Sequence, residues 1–557
     1  MIKLGKDTIK EYWWMIAAAV HYVAALFWSR FVFTDEPLLV DFYTVSLNDS
    51  ITYADEVRAG FLLTQMWAVL LILGLWYIVN KVFSGRINRK HLILFAVLFA
   101  IFFVLAVINY PDCFGIEIDN YVTYSKAIRY YPFYWHQALT SAFYGGCLYV
   151  LPHPFAVTLI QFGSFVGVVV YIFGELEANY GGKIKYAAFL FLLLPDVRQL
   201  AFNPYRNCLY TILTLGLLSF VFFRIKKNEF LRIPQLAVLA VLCAIVCKWR
   251  SEGILFGLCL ALVALLSFCQ FNWKKMIFFL LMFVVAIKLI NYPQELGDKK
   301  YYGNDYLILS TVSFLQPVLN NPDVNLSYDG AKEDLEAIAE ICPLAWIKQG
   351  GIAGYRAFNV TQGREEFNQT GASQNVRDSY MKAVVRILLH NPSMYIMNQT
   401  HNMIVSMGSL SPFVLPTYQG KEIQYPENLL GKSYETWAYG QEELKESYLV
   451  NRIANSEKRT RAFIAVEKYR IAYEKAISTI KVFLPFRFLA IINVLVIFIK
   501  KVVGLIRVRM SHQQLKKEVI DVVLLMSGLG GFCLVMLGAP GARANYYSAV
   551  MYYLYFL

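Results

Sequence analysis

Charged residues are scarce in this chain, and their scarcity excludes an ordinary soluble fold. Only 16% of the 557 residues are Asp, Glu, Lys or Arg, whereas 57% are hydrophobic. A soluble domain carries about a quarter charged residues, which cover its surface with water contacts. Apolar runs of about 20 residues recur along the chain, the length that a helix needs to cross a bilayer. The sequence therefore predicts an all-α polytopic membrane protein.

Several functional signatures are also missing. The nine cysteines are scattered, most of them inside apolar runs, which favours buried packing over a metal site or a disulfide framework. No His or Cys pattern has metal-ligand spacing, and "KQGGIAGYR" lacks the strand and helix that flank a nucleotide-binding loop. The start "MIKLGKDTIKEYWW" lacks the short apolar core of a signal peptide, so we expect it to be retained.

The apolar runs predict about 12 transmembrane helices. They lie near residues 12–33, 60–82, 91–109, 154–174, 184–199, 207–223, 233–247, 253–270, 276–292, 482–503, 519–538 and 544–557. Basic connectors such as "NKVFSGRINRKH" and "FFRIKKNEFLR" all fall on the side of the amino terminus, which indicates the cytoplasm. These connectors explain the net charge of +13, so we expect no nucleic acid partner. The prediction is an integral, multi-pass plasma (inner) membrane protein with a cytoplasmic amino terminus.

The predicted spans divide the chain into four parts. Residues 1–90 hold two helices, and residues 91–292 form a transmembrane module with an outer loop at 110–153. Residues 293–480 form a polar segment far longer than an ordinary connector, and residues 481–557 hold the C-terminal helices. Within the polar segment, "DSYMKAVVRILLHNPSMYIMNQTHNMIVSM" predicts amphipathic helices on the membrane surface. We expect this segment to be a small, mostly helical extracytoplasmic domain.

The first outer loop places two acids directly after a span. Its stretch "GIEIDNYVTYSKAIRYYPFYWHQ" contains Glu117, Asp119 and Tyr121. A carboxylate near the bilayer can accept a proton from a reacting hydroxyl. An acid at the start of a helix is also a common cap, so the sequence leaves both interpretations open for Asp119 and Glu117.

Aromatic residues follow these acids, in a segment that begins at Pro132 and ends near Pro152. Tyrosine and tryptophan are enriched at membrane–water interfaces, so we predict an amphipathic juxtamembrane helix here. This helix would hold Asp119 close to the bilayer plane. His136 lies within the same segment, where it either orients a substrate or is satisfied by neighbouring groups.

Basic residues are predicted on the same outer face as the acids. Arg206 begins one span, and Arg543 precedes the last one. Lys248, Arg250 and Glu252 lie in the short turn "CKWRSEG" between two apolar helices. Charged side chains at a membrane boundary often extend towards water, which is one interpretation of these residues. The other is a site for an anionic lipid headgroup, because Arg and Lys both bind phosphate.

The order of these motifs resembles the GT-C superfamily of membrane glycosyltransferases, with a distant similarity to its protein O-mannosyltransferase and aminoarabinose-transferase branch. "YPFYWHQALTSAFYGG" is similar to that family's "HPPLYY" helix, and "CKWRSEG" is similar to its Lys-x-x-Gly turn. "ARANYYSAV" is similar to the Arg-Tyr start of a late span in the family. Asn120 stands where the family has a second acid, and the two spans before residue 91 are additional.

The resemblance implies a GT-C-like fold and an inverting transfer of sugar from a polyprenyl-phosphate donor to an envelope glycan, lipid or protein. Asp119 or Glu117 would be the general base. Donor phosphate would be bound by Arg206, Lys248, Arg250 and Arg543, and substrates would be contacted by Tyr121, His136 and Glu252. Some family members use a divalent metal, but Glu117 is the only second acid near Asp119, so we expect no metal and no other cofactor.

Two alternative functions also fit parts of the sequence. A glycan polymerase or ligase with a polyprenyl-diphosphate donor would share the arginines without needing the acid. A transporter or flippase of lipid-linked sugars predicts ionisable residues at mid-membrane and paired, interrupted halves. In this sequence the charges cluster at one predicted face and the halves do not match, which favours the enzyme.

Overall fold

The computed structural model describes residues 6–33, 52–109, 123–124, 126–132, 134, 137–181, 206–250, 253–269, 272–297, 311, 314–349, 373–397, 483–507 and 512–538. Within these ranges the backbone consists of helices and turns, without a strand. The predicted spans near 184–199 and 544–557 lie outside the described residues.

Most of the described chain up to residue 297 forms long helices. They are α1 (Lys6–Val32), α2 (Tyr53–Phe83), α3 (Arg89–Asn109), α4 (Ala138–Val150), α5 (Phe155–Tyr180), α6 (Arg206–Lys226), α7 (Ile233–Trp249), α8 (Gly253–Phe268) and α9 (Trp273–Gly297). Helices α10 (Pro322–Asn325), α11 (Ala331–Ala339), α12 (Leu344–Gln349) and α13 (Gln374–His390) follow, and α14 (Phe483–Arg507) and α15 (His512–Gly538) come last.

Six of the described helices are long and apolar enough to cross a membrane, namely α1, α2, α3, α5, α6 and α9. The chain is therefore a helical membrane protein, as its composition predicted. Helices α7 and α8 coincide with two further predicted spans, but they have only 17 and 16 residues. At about 1.5 Å per residue, each is about 25 Å long and slightly shorter than a hydrocarbon core.

Contacts between α3 and α5 show that the two helices are antiparallel. The rings of Phe103 and Phe155 are 6.0 Å apart at one end of the pair. At the other end, His91 Nε2 lies 3.8 Å from Glu177 Oε2. The C-terminal end of α3 therefore lies beside the N-terminal end of α5.

Helices α5 and α6 run parallel. Lys227 Nζ, just after α6, lies 2.6 Å from Glu175 Oε2 near the end of α5. Midway along the pair, the side chain of Val168 packs on Gly216. Arg206, the first residue of α6, therefore lies at the end of the bundle where α3 finishes and α5 begins. We call this end the Arg206 end, and the opposite one the Glu175 end.

Helix α4 lies in the centre of the bundle. Every residue from Ala138 to Tyr149 is buried, against α1, α2, α5, α7 and α9. The prediction of an amphipathic juxtamembrane helix from Pro132 to Pro152 is wrong in this respect, since the helix begins at Ala138 and is buried on all sides. The burial was not predicted because small and aromatic residues of this kind are also typical of an interfacial segment.

Two glycines bring α4 close to α2. A Cβ on Gly145 would lie 2.8 Å from Thr64 Cγ2, and a Cβ on Gly146 would lie 2.5 Å from the Cβ of Trp67. Small residues at helix contacts are typical of membrane bundles, because van der Waals packing holds such helices together. Helix α2 is thus packed into the same apolar core as the helices of residues 91–292. The buried residues of α1, Ala18 and Ala25, belong to a separate cluster with Ala68, Ile72 and Tyr149.

Hydrogen bonds inside the bundle tie α1 and α2 to α4. The hydroxyl of Tyr22 donates to Gln65 Oε1 at 2.5 Å, and Gln65 Nε2 donates to the Tyr149 hydroxyl at 2.7 Å. The hydroxyls of Tyr149 and Tyr130 are 2.8 Å apart. Polar side chains within apolar helices are costly unless they are bonded, so this chain of contacts fixes the packing of the three helices.

The described residues between 311 and 397 have an apolar core of their own. It contains Phe314, Leu315, Val318, Leu319, Ile338, Ile341, Cys342, Ile347, Tyr380, Ala383, Val384 and Ile387. The fully buried Asp334 of α11 pairs with Arg386 of α13 at 2.5 Å and accepts a hydrogen bond from the Tyr328 hydroxyl at 2.7 Å. Helices α11 and α13 are thereby joined into one helical unit.

The cysteines of the described chain are buried and free. They are Cys147, Cys208, Cys243, Cys247, Cys259, Cys269 and Cys342. Cys342 lies in the helical unit, where burial raises the pKa of its thiol to about 12. A thiol with such a pKa is a poor nucleophile, so packing is its role, as the sequence indicated.

Candidate functional site

Arg206 and the end of α7 meet at the Arg206 end of the bundle. The indole N–H of Trp249 donates to the backbone carbonyl of Arg206 at 3.0 Å. Arg250 follows directly, and it is only 4% exposed. The start of α6 therefore lies beside the end of α7, so Arg206 and Arg250, two of the four predicted phosphate-binding residues, lie at the same end of the bundle.

The turn after α7 is unusually tight. The amide of Gly253 donates to the Arg250 carbonyl at 3.0 Å, and Gly253 begins the next helix. A Cβ at Gly253 would lie 2.1 Å from the carbonyl oxygen of Val246 and 3.3 Å from the ring of Tyr210. Glycine is therefore required here, because any side chain would push α8 away from α7 and open the turn that holds Arg250.

An aromatic cluster lies behind the two arginines. The ring of Trp249 contacts Trp67 of α2 and Phe143 of α4, each at 5.7 Å between centroids and in a T-shaped arrangement. All three residues are buried. Apolar packing of this kind excludes water and lowers the local dielectric, which strengthens the interaction of Arg250 with any anion that reaches it.

Lys248 lies at the same end of α7 but in a different environment. It is partly exposed, unlike its neighbours Trp249 and Arg250. Successive helical residues point about 100° apart, so the side chains of Lys248 and Arg250 leave the helix in different directions. The structure places the lysine at the Arg206 end without burying it.

A second polar group, buried near the start of α2, was not predicted from the sequence. Glu56, in the first turn of α2, is completely buried. Its two carboxylate oxygens accept hydrogen bonds from the hydroxyls of Tyr131 and Tyr134, both at 3.1 Å. Buried carboxylates are rare unless they are bonded in this way, so these two hydrogen bonds are what allows Glu56 to be buried.

Cations accompany Glu56 in the segment that precedes α4. Lys126 is 1% exposed, and its Nζ lies 5.1 Å from the centre of the Tyr131 ring. Arg129 is also buried. The expectation that the aromatic residues of this loop face the membrane interface is wrong for Tyr124, Tyr131 and Tyr134, which are buried. Tyr130 is half-buried. Burial also raises the pKa of the Tyr124 hydroxyl, which keeps it neutral.

The same segment is clamped between α9 and α2. Gln294 accepts from the Ala138 amide at 2.8 Å through Oε1 and donates to the Tyr134 carbonyl at 3.1 Å through Nε2. Gly297 leaves room for the Tyr134 ring, which a Cβ would meet at 2.0 Å. Gly60 packs on the carbonyl of Tyr130. Residues that follow the acidic loop are thus held rigidly.

The sequence did contain a signal for Glu56. The residues of α2 that face the core are Glu56, Ala59, Gly60, Leu63, Thr64, Trp67, Ala68 and Ile72, which recur at helical spacing. Glu56 is in register with this buried face, whereas Asp55 beside it is exposed and bonds to Thr52. Glu56 was not among the predicted site residues, so the difference between these two acids was missed.

The two polar groups lie at different levels along α2. Trp67, which contacts Trp249, comes 11 residues after Glu56. At about 1.5 Å per residue, the two positions are about 16 Å apart along the helix. The Glu56 group therefore lies near the start of α2, whereas Trp249 contacts α2 about three turns further along.

The other predicted site residues lie outside the described part of the chain. They are Glu117, Asp119, Tyr121, His136, Glu252 and Arg543. The described residue before the acidic loop is Asn109, at the end of α3 and thus at the Arg206 end. Among the described residues, no group of three or more His, Cys, Asp or Glu side chains could hold a metal ion.

Comparison of the chain with protein families, with curated proteins and with solved structures finds no match. A function therefore has to be argued from the residues and the geometry described above.

Proposed function

We propose that this protein is a GT-C-type glycosyltransferase. It would move a sugar from a polyprenyl-phosphate carrier to a glycan, lipid or protein acceptor of the cell envelope, at the outer face of the plasma membrane. The observation that carries the proposal is the meeting of Arg206 and the Trp249–Arg250 pair at the end of the bundle where α3 finishes. The loop with Glu117 and Asp119 begins at that same end.

The proposed chemistry needs one base and one anion site. The acceptor hydroxyl attacks the anomeric carbon of the donor, and its proton passes to the carboxylate of Asp119 or Glu117. The bond between the anomeric carbon and the phosphate oxygen breaks, and the polyprenyl phosphate leaves with the electron pair. One bond forms and one breaks at the same carbon from opposite sides, so the configuration inverts.

Buried cations suit the leaving group. Charge grows on the phosphate oxygen as the bond breaks, and fixed cations in a dry site stabilise that charge most effectively. Arg250 is buried directly after Trp249, whose indole bonds to the backbone of Arg206, which supports this role. Lys248 and Arg543 would complete the phosphate site, and Tyr121, His136 and Glu252 would contact the sugar or the acceptor.

The direct test is sugar transfer by the purified protein in lipid nanodiscs, with a panel of radiolabelled polyprenyl-phosphate sugars and extracted envelope acceptors. We expect Asp119→Asn or Glu117→Gln to abolish transfer while the protein still folds. Arg250→Ala should weaken binding of the polyprenyl-phosphate donor and slow the transfer. Arg58→Ala, on the exposed side of α2, is the matched control for loss of a positive charge.

Two outcomes would redirect the proposal. If both acid variants transfer sugar at the original rate, and diphosphate donors work better than monophosphate donors, the protein is a polymerase or ligase instead. If labelled donor only moves between leaflets and no product forms, it is a transporter. A thermal-shift measurement with polyprenyl phosphate tests the arginine site separately, and no stabilisation of the unaltered protein would count against that site.

A further inference from the structure

Helix α13 has two apolar faces, of which one is buried in the core of the helical unit and the other is exposed. Tyr380, Ala383, Val384 and Ile387 point inward and are buried. Met381, Val385 and Leu389 form a second stripe at helical spacing, with exposed fractions of 39%, 47% and 69%. An ordinary surface helix would place polar residues there.

Further exposed apolar residues follow the end of α13. Asn391 closes the helix, since its side-chain amide donates to the carbonyls of Ile387 and Asn325, both at 2.9 Å. The chain then resumes helical structure at 392–397, where Ile396 and Met397 are also exposed, at 63% and 57%. An apolar surface of this extent needs a partner that is itself apolar.

Charge divides the helical unit into two sides. Residues 374–390 carry three basic residues and one acid, a formal charge of +2. Residues 321–340 carry six acids and one lysine, a formal charge of −5. Helices α11 and α13 pack together through their buried faces, and Glu333 and Glu336 are exposed on α11. An anionic surface would therefore repel the α11 side and attract the α13 side.

The unit is tethered near a bilayer. Helix α9, which is long and apolar enough to cross a membrane, ends at Gly297, and Thr311 already belongs to the described part of the unit. Fourteen residues at about 3.5 Å each reach at most about 50 Å, so a lipid surface is always within range. Apolar side chains flanked by Arg or Lys are typical of helices that lie in the headgroup region.

We propose that α13 docks on the surface of the same membrane that α9 crosses. Met381, Val385 and Leu389 enter the boundary between headgroups and acyl chains, and Arg377 and Lys382 contact anionic headgroups. The helical unit thus lies against the bilayer with its acidic α11 side turned to water. This inference is independent of the proposed glycosyltransferase activity.

The test uses the full chain in nanodiscs, with p-benzoylphenylalanine incorporated at one position at a time and mass spectrometry of the photoproducts. The positions are Leu389 and Val385 on the stripe and Glu336 on the opposite side as the matched control. We expect several-fold more lipid adducts from Leu389 and Val385 than from Glu336. In the Leu389-labelled protein, Lys382→Glu should lower the yield in discs with phosphatidylglycerol more than in discs of phosphatidylcholine alone.

Either of two results overturns the proposal. One is a lipid yield at Leu389 and Val385 no higher than at Glu336. The other is crosslinking of the stripe to protein, either to a second copy or to another segment of the chain. Two labelled positions are used so that poor folding of one variant cannot decide the outcome.

Discussion

The hydroxyl of Tyr134 lies 3.1 Å from the carboxylate of Glu56, although 78 residues separate them in the sequence. Tyr131 bonds to the other oxygen of the same carboxylate, also at 3.1 Å. One buried acid at the start of α2 thereby anchors the segment that links the acidic loop to the central helix α4. In the proposed enzyme, this anchor would fix the position at which the loop with Asp119 returns to the bundle.

Removal of Glu56 should destabilise the bundle. Glu56→Ala leaves two buried phenol hydroxyls without this acceptor, at a cost of about 1–3 kcal/mol for each. We expect a clear fall in the thermal unfolding midpoint of the purified protein, measured by tryptophan fluorescence in detergent. Arg58→Ala, two residues further along the helix with an exposed side chain, should change the midpoint little. Equal midpoints for the two variants would contradict the anchoring role.

Two glycines of α2 should respond in opposite directions to the same substitution. A Cβ at Gly60 would lie 1.9 Å from the carbonyl oxygen of Tyr130, whereas a Cβ at Gly74 meets nothing within 4 Å. Gly60→Ala should therefore cost about 1–3 kcal/mol through overpacking. Gly74→Ala should be neutral or stabilise by up to about 1 kcal/mol, since alanine favours the helix. The measurement is the unfolding midpoint in denaturant, and loss of stability in both variants would mean that packing on Tyr130 is not the cause.

Trp249 should matter through its N–H group as well as its ring. Trp249→Phe keeps an aromatic ring against Trp67 and Phe143 but leaves the carbonyl of Arg206 without the indole donor. We expect a loss of about 1–2 kcal/mol in stability, together with weaker binding of polyprenyl phosphate as the start of α6 shifts. Trp273→Phe is the matched control, because Trp273 is 65% exposed. If Trp249→Phe matches the original protein in both measurements, the hydrogen bond from Trp249 to Arg206 contributes neither to stability nor to phosphate binding.

Stability should fall with acidification through His153. Burial lowers the pKa of this residue below its ordinary value of 6.5, and its Nδ1 accepts a hydrogen bond from the Phe155 amide at 3.1 Å. The unfolded chain therefore binds the proton at a higher pH than the folded protein. The stability contribution is complete above about pH 6.5, the ordinary value that applies to the unfolded chain, and is lost as the pH falls from there through the lowered pKa of the folded protein.

His153→Asn supplies the control for this pH dependence. Asparagine can accept a hydrogen bond from the amide two residues on, yet it does not titrate. We expect the unfolding midpoint of the original protein to fall between pH 7.5 and 5.5 by more than that of His153→Asn. Parallel profiles for the two proteins would assign the pH dependence to other groups.

Much of the architecture could be predicted from local sequence. The apolar runs gave the positions of α1, α3, α5, α6 and α9 to within several residues. The runs also indicated where the helices end, and this placed Arg206 and Arg250 at the ends of predicted transmembrane helices. The central position of α4 could not be predicted, because "ALTSAFYGGCLYV" has the small, aromatic and hydroxyl residues of an interfacial segment.

The sequence by itself determined that the protein resides in a membrane and which segments are helical, because transfer into lipid and helix formation depend on residues close together in the chain. Only the tertiary structure decided which polar groups share a site. Glu56 meets Tyr131 and Tyr134, and Trp249 meets Arg206, since packing of glycine-lined helices brings distant residues together. The burial of Glu56 follows from the periodicity of α2, but its partners do not, because Tyr131 and Tyr134 lie outside any helix pattern that would pair them with it.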